Sequence, residues 1–469
     1  MRNDMLLILP ELTVLLFSVF FLFFSLGDRK RNPAAWARPL SLIILGVSLL
    51  TVSEGGELFS GAYRVDLFSQ IFKAMLSLGF CLVLFMMENK NEINERYGAE
   101  YYMFLGFSML GLMMLAGSVE LISMVISLEI SSYSLYVIVP LRKGSTKVQI
   151  EASMKYLFFG AVATGIMLYG MGYLYAISRS TFLADIIKVM PACMNQPAGI
   201  IAVVFTLTGF FFKLSLFPFH FWAPDIYEGA SNTTTTFIAT IPKIAAVALL
   251  IRIVMLAAPG GQQFINILIA LAAVSMTLGN LVGLVQRDIK RLLAYSGIAH
   301  AGYVMLGVLS LSSDGNASAI YYMAVYLFMN LACFYVIMLL SRNNDNVTLD
   351  DLAGLAKRSP LLAFVLAASA FSLAGIPPTG GFTGKLFLLM SAFKAGHLYI
   401  VIIAAVNTVI SIFYYLNLVR ISYSRAASTD AGDIRLTFKE KALCIIFIGL
   451  ILYTGIFPFS IMEIFTAAL

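Results

Sequence analysis

The chain has 469 residues, of which 60% are hydrophobic and only 12% charged, with a mean hydropathy of +0.89. That composition excludes a water-soluble domain of this length and indicates a membrane protein. The net charge of +6 reports how basic residues are shared among loops, and nothing in it suggests nucleic-acid binding.

Apolar runs near the length that crosses a hydrocarbon core, roughly 20 residues in a helix, recur from end to end. About fourteen are expected, at residues 5–26, 38–52, 66–87, 101–117, 119–140, 150–177, 199–221, 233–257, 263–285, 291–311, 317–341, 360–393, 398–420 and 441–465. The apolar/polar alternation of a membrane barrel is absent, so the expected fold class is an all-α polytopic membrane protein. The first run is followed, not preceded, by Arg29, Lys30 and Arg31 and lacks a small-residue cleavage site, so it reads as a retained helix.

Basic residues resist translocation, and starting the N-terminus outside puts twenty Lys and Arg on inner loops against six on outer ends. Both termini are therefore expected on the outer side. Cys81, Cys193, Cys333 and Cys444 are widely separated, and His220, His300 and His397 fall in different segments. No disulfide framework, zinc, haem or iron–sulfur ligation is indicated, so no redox cofactor is expected in this chain.

Five lysines fall inside spans, where a charge costs roughly 3 kcal/mol or more and usually faces a protein interior. Lys73 lies one or two turns from Asp66 and either snorkels or pairs locally. Glu129, in LISMVISLEISSYSLYVIVP, is an acid near the middle of the fifth run; alone it would take up a proton, and a nearby lysine would favour its charged form. Lys155, about one turn from the inner end of its helix, reads equally as snorkelling or functional.

The stretch FFFKLSLFPFHFWAPDIYEG sets Lys213 among phenylalanines and follows it with Pro218, which breaks the helix. A break at that depth is tolerated where the freed backbone is buried in protein or lines a wet cavity. His220 beyond it either carries protons toward the inner side or bonds backbone freed by the prolines. Lys243 follows Pro242 in the eighth run. Lys385, in SLAGIPPTGGFTGKLFLL, accompanies a second break at Pro377 and Pro378.

The two breaks lie five spans apart, so they run in opposite directions across the membrane. That is the pattern of inverted five-helix repeats with sites at discontinuous helices. The expected organisation is an N-terminal three-helix segment at 1–100, a first repeat at 101–258, a second at 259–425 and a C-terminal helix at 426–469.

FKLSLFPFHFWAPDIYEGA, QRDIKRLLAYSGIAHAGY, LAGIPPTGGFTGK and the LPE at Leu9 to Glu11 together resemble the antiporter-like membrane subunits of respiratory complex I, the proton-pumping NADH:quinone oxidoreductase. The resemblance covers essentially the whole chain. It implies a fourteen-helix subunit without a redox centre, embedded in the bacterial inner membrane beside other membrane-arm subunits, including antiporter-like paralogues. NAD, FMN, iron–sulfur clusters and quinone would act elsewhere in that complex, and their chemistry would drive protons through this chain.

By motif, Glu129 and Lys213 match the acid–base pair of the inward half, Lys243 the connecting lysine and Lys385 the lysine of the outward half. The chain departs from the family in SNTTTTF, where a proline usually follows EGA, and at Asn417, where a base is common. A sodium/proton antiporter subunit, or one from a ferredoxin- or hydrogenase-linked pump, shares these lysines and stands as the second reading. An autonomous solute transporter fits less well, because the buried charges lie in several successive spans.

Overall fold

The computed structural model describes residues 2–27, 32–87, 92–144, 146–194, 196–254, 262–341, 345–424 and 433–469. The basic residues Arg29, Lys30, Arg31, Lys90, Arg342 and Arg425, which entered the loop count, lie outside them. The described chain is almost wholly helical, with one two-stranded antiparallel ribbon, β1 (Gly56–Leu58) and β2 (Tyr63–Val65), in which Leu58 opposes Tyr63. It divides into two compact units.

The first unit takes residues 1–222 and 229–268. It holds α1 (Arg2–Leu7), α2 (Leu9–Leu26), α3 (Ala34–Leu50), α4 (Leu67–Met86), α5 (Gly98–Gly117), α6 (Leu121–Ile138), α7 (Thr146–Ser178), α8 (Leu183–Cys193), α9 (Pro197–Leu214) and α11 (Asn232–Val254). Local chemistry sets these starts and stops. Asp66 caps α4, accepting the Ser69 N–H at 2.8 Å while Ser69 Oγ accepts the Asp66 N–H at 3.0 Å. Glu120 caps α6 through the Ser123 N–H at 2.7 Å. α5 and α6 touch backbone to backbone because residue 111 is glycine: a Cβ there would lie 2.5 Å from Ser127 O and 2.7 Å from Ser131 N.

α9 stops where Ser215 turns left-handed, with φ 62°. The N–H groups of Ser215 and Leu216 both return to the Phe211–Phe212 carbonyls, the second at 2.9 Å to Phe211 O. This is the double closure that satisfies carbonyls at a helix end. The Phe217–Pro218 peptide that follows is cis.

The second unit takes residues 223–228 and 269–467. Between the two assignments run α10 (Trp222–Gly229) and α12 (Gln262–Gly283); wholly within the second unit are α13 (Ile289–Leu309), α14 (Ser313–Leu340), α15 (Leu355–Arg358), α16 (Pro360–Ala374), α17 (Gly380–Lys394), α18 (Leu398–Ser424), α19 (Phe438–Ile456) and α20 (Pro458–Ala467). The devices of the first unit recur in the same order. Asp288 caps α13 through the Arg291 N–H at 2.9 Å. Asp288 bridges Thr348 as Glu120 bridges Phe182. A Cβ at Gly279 would meet Tyr295 O at 2.6 Å and Ala299 N at 2.7 Å. α16 ends at Gly375, φ 86°, with the N–H groups of Gly375 and Ile376 on Phe371 O at 3.0 and 2.9 Å. The Pro377–Pro378 peptide is cis.

The discontinuous helices are therefore α9/α10 and α16/α17. Fourteen spans were expected; among the described residues eleven helices have the length and apolarity to cross a membrane, or twelve if the bent pair α19/α20 is one span. α3 and α16 are apolar but shorter. The run at 360–393 is two helices rather than one, because the carbonyls at its centre are closed off at Gly375 before α17 begins.

Candidate functional site

In the first unit, Lys213 occupies the last turn of α9 and is only 2% exposed. Its Nζ has no hydrogen-bond partner among the described residues. The charged group that acts on it is Glu129 of α6, a half-buried carboxylate that accepts the Thr164 hydroxyl of α7 at 2.6 Å. The acid and the base that the motifs paired are thus within electrostatic reach of each other.

Aromatic rings wall this place. Tyr156 stacks on Phe212 and on Trp222 with centroids 5.9 and 4.8 Å apart, and Tyr136 meets Tyr156 edge-on at 4.8 Å. Trp222 Nε1 also donates to Phe212 O at 2.9 Å, a second bond to a carbonyl that the Ser215 N–H already closes. A buried ammonium under the influence of a carboxylate, with aromatic rings at a helix break, is suited to holding and passing a proton.

Lys243 lies on α11 and is buried. His220 is buried beyond the break between Phe217 and Phe221, bonded to the Pro218 backbone, with Nδ1 lacking a partner. The backbone reading of this histidine thus has a structural basis. Lys155 is apart from the cluster: it is half-exposed and pairs with Glu151 one turn earlier at 2.7 Å.

In the second unit, Lys385 is 3% exposed and donates to Leu373 O at 2.9 Å and Ala374 O at 3.0 Å. Its ammonium also lies 4.8 Å from the Tyr303 ring centroid. The two lysines thus use their breaks differently. Lys213 precedes its break, whereas Lys385 follows its own and reaches back to cap the carbonyls of α16.

His300, Arg291 and Tyr63 escaped the sequence reading, and Lys73, which it placed inside a span, has an unforeseen partner. His300 of α13 contacts the Tyr322 hydroxyl at 2.5 Å and the Tyr415 hydroxyl at 3.0 Å, and Ser296 joins Tyr415. Arg291 pairs with Asp225 at 2.9 Å and Glu228 at 2.6 Å, tying APDIYEG to QRDIKRL. Lys73 pairs with Glu11 of the LPE motif at 2.7 Å, not with Asp66, which instead takes Arg252 at 2.8 Å. Tyr63 completes the former cluster: burial, then the Glu11 carboxylate, push its hydroxyl well above the usual phenol range, and it donates to Glu11. The only hint in the sequence was that Glu11 is an acid close to an apolar run.

The family model described as NADH:quinone oxidoreductase/Mrp antiporter, transmembrane, matches residues 118–411. The chain belongs to this family. Among its members, NADH-quinone oxidoreductase subunit N 2 of Opitutus terrae is 43% identical over 98% of this chain and 97% of its own. The membrane-family fold is shared with a chain of respiratory complex I from Thermus thermophilus, solved with bound aureothin, at 30% identity and a TM-score of 0.83 over 97% of this chain and 98% of that one. It is shared also with a chain of the Mrp complex from Dietzia, at 18% identity and a TM-score of 0.85 over 100% and 97%. Both discontinuous helices of this chain fall on motifs that had carried the resemblance.

Proposed function

We propose that this chain is a proton-translocating membrane-arm subunit of a bacterial NADH:quinone oxidoreductase. The observation that carries it is Lys213, buried at a helix break with no hydrogen-bond partner among the described residues and under the influence of the Glu129 charge, in a chain whose relatives bear that enzyme's name. Protonation of Lys213 is governed by how strongly Glu129 is engaged, so a change in that pairing takes up or releases a proton. Lys243 and Lys385 hold protons further along, with His220 a subsidiary group and Lys155 a peripheral one.

The repeats at 101–258 and 259–425 are inverted, each contributing one broken helix, and the segments 1–100 and 426–469 flank them. The chain lies in the inner membrane with both termini outside. It carries no redox group; NAD, FMN, iron–sulfur clusters and quinone serve the complex through other subunits, and membrane-arm paralogues are its neighbours.

The test begins with a particle isolated by a tag on this chain in mild detergent and assayed for NADH:quinone activity, flavin and iron–sulfur. Lys213→Ala in that assembled particle is expected to abolish this chain's share of the protons moved per quinone reduced. Normal assembly with undiminished pumping would overturn the role given to Lys213.

A further inference from the structure

The segment SNTTTTF replaces the usual proline at the entry to α11, and the structure shows what holds it. Glu92 is 6% exposed, and its carboxylate accepts Asn232 Nδ2 at 3.1 Å, the Thr233 N–H at 3.1 Å and Thr233 Oγ1 at 3.0 Å. Its own strand is pinned to the 141–143 segment, with the Lys143 N–H on Glu92 O at 2.8 Å and Ile93 bridged to Arg142. The ionisable groups around Glu92 include Arg142, bridged through its backbone to Ile93, and Tyr101 of α5, whose hydroxyl lies 3.2 Å from that of Thr234.

From Glu92 the polar side chains form a stripe. At about 100° per residue, Thr233, Thr236, Thr240 and Lys243 fall within an arc of roughly 80° on α11. All four are at most 2% exposed. Thr236 and Thr240 each donate to the carbonyl one turn back, at 2.7 Å, leaving their oxygen lone pairs directed outward along that face. At a rise of about 1.5 Å per residue, Thr233 and Lys243 are about 15 Å apart, a distance that bridged hydroxyls and waters span. A helix cap needs only the first contact; it does not explain a buried hydroxyl row leading from a carboxylate to an ammonium.

We propose that Glu92 is the proton-accepting entry group for Lys243, fed from the side of the membrane that carries most of the basic loops, and that the Thr233–Thr236–Thr240 face of α11 conducts the proton inward. The step is a transfer only: a proton reaches the Glu92 carboxylate, passes along hydroxyls and bridging waters, and is taken by the neutral Lys243 amine. The idea rests on the proton-translocating reading and on the orientation given above.

The experiment uses the whole complex carrying Glu92→Gln. The glutamine keeps an acceptor for Thr233, and the free Asn232 Oδ1 can accept from its new amide after a flip, so α11 stays capped. Proton transfer through this chain is expected to slow by about 100-fold, read as loss of its share of pumped protons in reconstituted vesicles, with Glu92→Asp recovering part and most loss at alkaline pH, where protons are scarce. Thr236→Val and Thr240→Val, which leave the cap untouched, are expected to lower pumping too, while Thr235→Val, off the stripe, is not.

Pumping at the native level in both threonine variants overturns the proposal, whether or not the Glu92 variant assembles. If Lys213→Ala and Lys243→Ala lose pumping while Glu92→Gln and the threonine variants do not, this inference falls alone. If the lysine variants also pump normally, the proton-translocating reading falls with it.

Discussion

Glu11, Lys73 and Tyr63 show how one buried pair is stabilised at residue scale. Lys73 is fully buried and Glu11 nearly so, so the pair is drawn out of water and held by the Tyr63 hydroxyl besides. Removing one partner leaves the other charge buried alone, which costs about 3–5 kcal/mol, whereas replacing both with apolar groups is often close to neutral. Glu11→Gln or Lys73→Met is therefore expected to lower the thermal stability of the complex sharply, and Glu11→Leu with Lys73→Met much less. A double change as damaging as the worse single one would contradict this account. Arg291 differs because it is partly exposed and has two carboxylate partners; losing either alone should matter little.

At the scale of elements, the two helix breaks share a double carbonyl closure but not the residue that makes it. Gly375 adopts its left-handed conformation without a Cβ penalty, while Ser215 carries one, and the buried Ser215 Oγ has no hydrogen-bond partner among the described residues to offset it. Ser215→Gly is accordingly expected to leave pumping intact and to stabilise the first unit by up to about 1 kcal/mol, measurable as a rise in melting temperature. Gly111→Ala is expected to do the reverse. Its Cβ would meet backbone atoms of α6, which cannot rotate away, so α6 and its Glu129 shift at a cost of about 1–3 kcal/mol. Unchanged stability and pumping in Gly111→Ala would show that the α5–α6 contact has slack.

Over the whole molecule, charge placement predicts the orientation. Lys143, on a loop counted as inner, and Lys188, on α8 counted as outer, are both exposed. Cysteines placed singly at these positions, with the four native cysteines replaced, are expected to react with an impermeant maleimide from opposite sides of sealed vesicles. Labelling of both from one side would refute the orientation.

The sequence by itself determined that this chain lives in a membrane, roughly where its helices run, where two of them break and that Lys73, Lys213, Lys243 and Lys385 are buried, because hydropathy, proline and glycine act locally on the chain that contains them; it missed the buried Lys290 and the half-exposed Lys155. It also carried the motifs by which Glu129 is proposed to pair with Lys213. Tertiary structure alone decided the partners: Glu11 rather than Asp66 for Lys73, backbone carbonyls for Lys385, two hydroxyls for His300, and Glu92 beneath the threonines of α11. Those contacts join residues 11 to 141 positions apart, and a polar side chain in an apolar interior takes whichever complementary group packing brings within about 3 Å. No local pattern encodes that choice, since it depends on which helices pack side by side and in what register.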